Sequence, residues 1–141
     1  MNQKAFFNRL GAPLANARWS WGAVRSGDGA VFLRVWKDRI RIHEGSEFAQ
    51  VTFYSRFRDR TTHGHRERIE QVGLIRDGSP CFMILCEAVD TTARPRRIKK
   101  FNAAEVFPGG RTMEFDGEWF VEMLPAVPVS EVARPAVGAP A

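Results

Sequence analysis

The sequence has few of the features that mark a secreted, disulfide-rich or membrane-spanning protein. It contains two cysteines, Cys81 and Cys86. On one strand they would lie about 16 Å apart, whereas a disulfide requires about 5.5 Å between Cα atoms, so we expect two buried, reduced thiols. The longest apolar run, residues 81–86, is too short to cross a bilayer, and residues 1–14 lack the apolar stretch of a signal peptide. These features predict a cytoplasmic protein that does not bind membranes.

The sequence also lacks the motifs of common nucleases and hydrolases. Restriction-type nucleases hold a metal ion with an acid two positions before a lysine, and none of the lysines has such an acid. No nucleophile elbow, Walker loop or dinucleotide-binding glycine pattern occurs. His63 and His65 form a His-x-His pair, but no third ligand is fixed nearby, so solvated loop histidines are the expectation. We therefore predict no catalytic residue, no metal and no other cofactor.

Positive charge is concentrated in two windows of a chain whose net charge is +5. Residues 55–68 and 94–100 together carry a net charge of +8, which leaves −3 for the remainder. Localised basicity indicates a polyanionic partner such as nucleic acid. The alternative is that both windows are arginine-rich, solvated loops.

Hydrophobic periodicity predicts strands along most of the chain and one main helix. Residues 66–76 have apolar side chains at three-residue steps, which is the spacing of a helix. Residues 81–89 are apolar at both odd and even positions, which is typical of a strand covered on both faces. The other predicted strands are 18–24 and 30–36 in one hairpin, 47–54, 97–101, and 111–115 with 118–124 in a hairpin around Asp116 and Gly117.

This order of elements predicts an α+β, mostly β domain over residues 1–132. The strands are too many and too closely connected for a doubly wound sheet, so a small, partly closed β-barrel with the helix packed against it is the expected architecture. Residues 133–141, which are rich in alanine and proline, are predicted to form a disordered tail.

Three tryptophans are candidates for a base-binding pocket. Trp19 and Trp21 would point the same way on one strand, and Trp36 would lie on the strand paired with it. Aromatic walls beside basic loops hold unstacked or flipped bases. The alternative for each tryptophan is ordinary core packing.

Eight further residues are candidates for contacts with a nucleic-acid backbone. Cations occur at both odd and even positions of residues 96–100, so both faces of this segment would carry positive charge. The segment is therefore predicted to be a strand at the surface whose side chains contact phosphates. The candidates are Arg66, Arg68, Arg94, Arg96, Arg97, Lys99, Lys100 and Phe101.

An ordered series of short segments resembles small bacterial proteins and domains of the PUA-like superfamily, near the EVE type. The segments are WSWGA at 19–23, VFLRVWKD at 31–38, ER at 67–68, IRDGSPCFMILCEA at 75–88 and PRRIKKF at 95–101, and the resemblance spans about residues 5–130. Some similar domains are fused to HNH nucleases in modification-dependent restriction.

The resemblance implies a PUA-like barrel that reads a modified or flipped base. Trp19, Trp21 and Trp36 would then form the pocket wall, and residues 94–101 would contact the backbone. These 141 residues contain no nuclease domain, so the domain would act as a reader alone or would recruit an effector protein. Two other hypotheses stay open: a barrel that binds a protein or small ligand, and a nucleic-acid-modifying enzyme with an unrecognised site.

Overall fold

A large mixed sheet forms most of the molecule. The computed structural model describes residues 1–58 and 61–134, and these residues contain three α-helices and nine strands. The helices are α1 (Gln3–Arg9), α2 (His63–Arg76) and α3 (Val129–Val132). The strands are β1 (Gly22–Val24), β2 (Val31–Trp36), β3 (Ile40–His43), β4 (Ser46–Gln50), β5 (Cys81–Ala88), β6 (Ile98–Phe101), β7 (Glu105–Phe115), β8 (Glu118–Met123) and β9 (Val127–Pro128).

The strands follow the order β1-β2-β5-β7-β8-β4-β3, with β6 beside β5 and β9 beside β7. β2 and β5 are parallel, and the other pairs are antiparallel. The predicted mostly β architecture is confirmed, but the sheet is mixed and is not closed.

Strand β5 lies in the middle of the sheet and both of its faces are covered, which confirms the prediction made from residues 81–89. Met83 on one face joins a core with Leu33 of β2 and Val72 of α2. Ile84 on the other face joins a second core with Phe6 of α1. A strand between two apolar layers is apolar at both parities, which is the pattern of residues 81–86.

Both predicted hairpins and the main helix are present. β1 pairs with β2, and β7 pairs with β8 around Asp116 and Gly117, whose positive φ angles of 51° and 81° suit a two-residue hairpin turn. The helix begins at His63, three residues before the predicted start, because the Thr62 side chain accepts a hydrogen bond from the His65 N–H and caps it.

The prediction of a strand from residue 18 was wrong, because β1 begins at Gly22. The preceding residues form a turn in which the Asn16 side-chain oxygen accepts hydrogen bonds from the Arg18 and Trp19 N–H groups. Local bonding of this kind competes with strand pairing. The structure also adds α1, β3, β9 and α3, which the hydrophobic pattern did not predict.

Cys81 and Cys86 are buried and form no disulfide, as predicted. Burial raises the pKa of the Cys81 thiol to about 12 and that of Cys86 to about 11, so both are protonated at neutral pH. None of the helices in residues 1–58 and 61–134 is long and apolar enough to cross a membrane. Of the predicted tail, residues 135–141 lie outside the described residues.

Candidate functional site

A cavity of about 960 Å³ opens beside the N-terminal end of α2 and the end of β2. Glu118 is the one acidic residue that lines it within the described part of the chain. The aromatic lining residues are Trp19, Trp21, Trp36, Phe53 and Phe57. The arginine lining residues are Arg18, Arg34, Arg39, Arg56, Arg68, Arg94, Arg96 and Arg97. The three tryptophans singled out in the sequence therefore lie around one cavity.

Trp21 lies at the centre of the five aromatic lining residues, which we call the aromatic wall. Its ring lies 5.8 Å from Phe57 and 6.2 Å from Phe53 between ring centroids, and the Arg68 guanidinium carbon lies 5.6 Å from the Trp21 centroid. Gly64 in the first turn of α2 permits this position, because a Cβ atom there would be 2.3 Å from Trp21 Nε1. The indole therefore packs directly on the helix backbone.

Trp19 and Trp36 form two other parts of the wall. The Trp19 ring lies 5.4 Å from the His63 ring, at the start of α2. Trp36 ends β2, and the Arg96 guanidinium lies over its ring at 5.0 Å from the centroid. The half-buried tryptophans each keep part of their surface on the cavity.

Arg96 is fixed by Asp38, although 58 residues separate them in sequence. Its two terminal nitrogens donate to the two Asp38 carboxylate oxygens at 2.6 and 2.7 Å, and Nη2 also donates to the Thr91 carbonyl. The Arg96 side chain is only 4% exposed. Its role is therefore to hold the segment before β6 against Trp36, rather than to present a mobile cation.

Arg68 and Arg34 are lining arginines that bond mainly to backbone carbonyl oxygens. Arg68 is buried and donates to the carbonyl oxygens of Val51, Trp21 and Arg34. Arg34 is half-buried and donates to the Gln3 side chain and to the carbonyls of Trp21 and Ser20. Burial lowers the pKa of Arg68 to about 9, and repulsion from Arg34 adds to this effect.

The rim of the cavity is crowded with like charges. Burial lowers the pKa of the Arg56 guanidinium, and repulsion from Arg94, Arg96 and Arg39 lowers it further. Arg18, Arg94 and Arg97 are exposed. Clustered cations repel one another unless an anion lies among them, so this rim is suited to a polyanion.

Glu118 fixes the loop that carries Phe53 and Phe57. Its carboxylate accepts hydrogen bonds from the Thr52 hydroxyl and from the N–H groups of Tyr54 and Ser55. A carboxylate engaged by three donors is structural, and here it holds the aromatic loop in place.

The predicted backbone contacts are divided among different surroundings. Arg94, Arg96 and Arg97 line the cavity, and so does Arg68, which is buried with its guanidinium over the Trp21 ring. Arg66 is exposed on α2 but does not line the cavity.

The remaining predicted contacts follow β6. Lys99 and Lys100 are exposed beside a shallow groove that also contains Gln3 and Ile98, two residues of the main cavity. Lys100 forms a 3.1 Å ion pair with Glu87. Phe101 is half-buried, and its ring lies 5.2 Å from that of Phe6, so it contributes to the core under the groove.

The two histidines of the His-x-His pair are directed to different neighbours. His63 lies against Trp19, whereas His65 is buried and its Nε2 accepts a hydrogen bond from the Phe53 N–H. Within residues 1–58 and 61–134, no group of three His, Cys, Asp or Glu residues is arranged to hold a metal ion.

Three lining residues of the cavity, Arg34, Phe53 and Phe57, were not predicted from the sequence. Arg34 interrupts the apolar run of β2, and an arginine flanked by Phe32, Leu33 and Val35 is a usable signal of a buried cation. Phe57 lies within the first basic window, residues 55–68, and Phe53 lies two residues before it, but the loop that turns them toward Trp21 depends on Glu118, 61 or more residues away.

Comparison of the chain with protein-family models, with curated proteins and with solved structures gives no match.

Proposed function

We propose that this protein is a nucleic-acid-binding module that holds an unstacked base in the cavity and contacts the backbone through the cations at its rim. The observation that carries the proposal is the composition of one cavity, which combines five aromatic side chains with eight arginines. Aromatic faces stack on bases, and arginines bind phosphates, so a single strand satisfies both kinds of group.

The dimensions support a nucleotide as the occupant. The cavity of about 960 Å³ is at the upper end of the range for small-molecule sites, which is about 300–1,000 Å³. It continues past Gln3 and Ile98 into the groove beside Lys99 and Lys100. A base in the cavity would therefore leave its neighbouring phosphates beside exposed cations.

The resemblance to EVE-type PUA-like domains is part of this proposal. All five of the segments that carry it contribute to the cavity, through Trp19 and Trp21, Arg34 and Trp36, Arg68, Cys86, and residues 95–98. On this basis the fold is a PUA-like domain with an open sheet, and its ligand is a modified or flipped base. An effector protein would then act on the bound nucleic acid.

The proposal is tested by binding of fluorescent single strands and duplexes over a series of salt concentrations. Trp19→Ala should weaken binding by about 1–3 kcal/mol and leave the salt slope unchanged, because a stacking contact releases no counterions. Trp119→Ala is the matched control, since Trp119 does not line the cavity.

A second pair of variants tests the rim. Arg97→Gln should reduce the slope of log K against log salt by about 0.7–0.9 and weaken all strands alike. Arg76→Gln is the control, because Arg76 lies at the end of α2 remote from the cavity, over Trp119. If the unaltered protein binds no strand at low salt, the proposed function is wrong.

The size of the cavity also supports a second candidate, a binding site for a small aromatic anion. Its affinity would depend far less steeply on salt than that of a strand, because a small anion displaces few counterions. The salt series therefore separates the two candidates.

A further inference from the structure

The lining of the cavity includes two arginines with little exposure, the buried Arg68 of α2 and the half-buried Arg34 of β2, which we call the inner arginine pair. They lie together, because both donate to the Trp21 carbonyl oxygen and Arg68 also donates to the Arg34 carbonyl. Both line the cavity that contains the aromatic wall. A base that stacks beside Trp21 would lie close to them, because the Arg68 guanidinium carbon is 5.6 Å from the Trp21 ring centroid.

Each arginine of the pair retains unused donors. A guanidinium has five N–H groups. Arg34 uses three of them, on Trp21, Gln3 and Ser20. Arg68 also uses three, and its Nε is buried without a hydrogen-bond partner in the described part of the chain. Two N–H groups therefore remain on each residue.

The charges of the pair are not balanced by contact with a carboxylate. Every hydrogen-bond acceptor of Arg34 and Arg68 named above is a carbonyl or amide oxygen. Glu67 attracts both, but its carboxylate accepts a hydrogen bond from the Ser20 hydroxyl and not from either arginine. Buried cations with neutral partners are costly, so a ligand acceptor at this position would be strongly favoured.

We propose that the inner arginine pair selects a base whose leading edge presents two adjacent hydrogen-bond acceptors, as O6 and N7 of guanine or hypoxanthine do. This inference rests on the proposed function. Arginine supplies donors only, and the fork that it makes with O6 and N7 of guanine is a common specific contact. Adenine places an amino group where guanine has O6, so two donors would face each other and adenine would be rejected.

The test uses the full chain and strands of about nine nucleotides in which a single base is flanked by abasic positions. The central base is guanine, hypoxanthine, 7-deazaguanine, 2,6-diaminopurine or adenine. Guanine and hypoxanthine should bind about 5- to 150-fold more tightly than adenine and 2,6-diaminopurine, with 7-deazaguanine between them. The guanine and diaminopurine strands share the N2 amino group and N7, so their ratio reports the change at position 6 and at N1, and 7-deazaguanine reports N7 separately.

Variants connect the preference to the residues. Arg34→Gln, shown to be folded by circular dichroism, should reduce the guanine-to-adenine ratio toward one. Arg97→Gln should weaken both strands and leave that ratio unchanged, because Arg97 lies at the exposed rim. Arg68→Lys is a second variant, and if either substitution prevents folding, the base series on the unaltered protein still decides.

The outcomes separate this inference from the function on which it rests. Absence of binding by every strand would overturn the proposed function. Binding of all five strands with equal affinity would overturn the inference alone. Inorganic phosphate serves as a competitor: if it displaces the strands at concentrations too low to act through ionic strength and base identity has no effect, the pair binds phosphate and the inference is wrong.

Discussion

Arg96 donates two hydrogen bonds to the Asp38 carboxylate, at 2.6 and 2.7 Å, while its guanidinium lies over the Trp36 ring. The turn after β2 is thereby tied to the segment before β6, which contributes residues 94–98 to the cavity. The Arg96 hydrogen bonds are the main cause that lowers the pKa of Asp38, so the carboxylate is charged at neutral pH.

We expect Asp38→Asn to lower the free energy of unfolding by about 1 kcal/mol, because a charge-assisted pair is lost but Asp38 is partly exposed. The fluorescence of the variant should also change, since Arg96 would no longer be held against Trp36. Urea unfolding and emission spectra measure the two effects. The control is Asp116→Asn, which removes an exposed ion pair with Arg41. Equal effects from the two substitutions would contradict a special role for Asp38.

Gly64 and Gly73 both lie in α2 and should respond in opposite directions to alanine. A Cβ at position 64 would lie 2.3 Å from Trp21 Nε1 and 2.6 Å from the Trp19 carbonyl oxygen, so Gly64→Ala must displace the aromatic wall. A Cβ at position 73 meets no atom of the described residues within 4 Å. Gly73→Ala should therefore stabilise the protein by about 0.5–1 kcal/mol through helix propensity.

Gly64→Ala is expected to destabilise the fold by about 1–3 kcal/mol, the usual range for overpacking. It should also weaken strand binding, whereas Gly73→Ala should not. Thermal unfolding and the binding assay are measured on the same preparations. A Gly64→Ala protein with unchanged stability and affinity would show that Trp21 does not depend on this close approach.

His65 gives the stability a pH dependence near neutrality. Burial lowers the pKa of His65 below its ordinary value, and its unprotonated Nε2 accepts a hydrogen bond from the Phe53 N–H. Between the folded and unfolded pKa values, the unfolded chain binds a proton that the folded chain does not. The contribution of neutral His65 to the free energy of unfolding should therefore be fully present above the pKa of the unfolded chain, about 6.5. It should be lost as the pH falls from that value toward the lower pKa of the folded protein.

The measurement is urea unfolding at several pH values between about 7.5 and 5. The control is His65→Gln, which cannot titrate and retains His43 and His63. The parent should lose stability relative to this variant as the pH falls. Parallel pH profiles for the two proteins would mean that His65 titrates alike in the folded and unfolded states.

The sequence by itself determined the strand-rich character, the main helix, the two hairpins and the burial of Cys81 and Cys86. These features depend on local signals: apolar periodicity, the Asp116-Gly117 turn, and the Gly78 and Pro80 that follow α2. The three tryptophans that the sequence singled out line one cavity, although Trp19 and Trp21 precede β1 instead of lying on it.

Only the tertiary structure decided what each arginine does. Arg68, Arg96 and Arg97 look alike in a basic sequence, yet one is buried against carbonyls, one is clamped by Asp38, and one is exposed at the rim. The state of a charged side chain depends on which acceptors surround it, and for Arg68 and Arg96 these include residues 17 to 58 positions away. Hydrophobic periodicity shows which side chains of one helix or strand share a buried face, so it cannot identify hydrogen-bond partners that lie far away in the sequence.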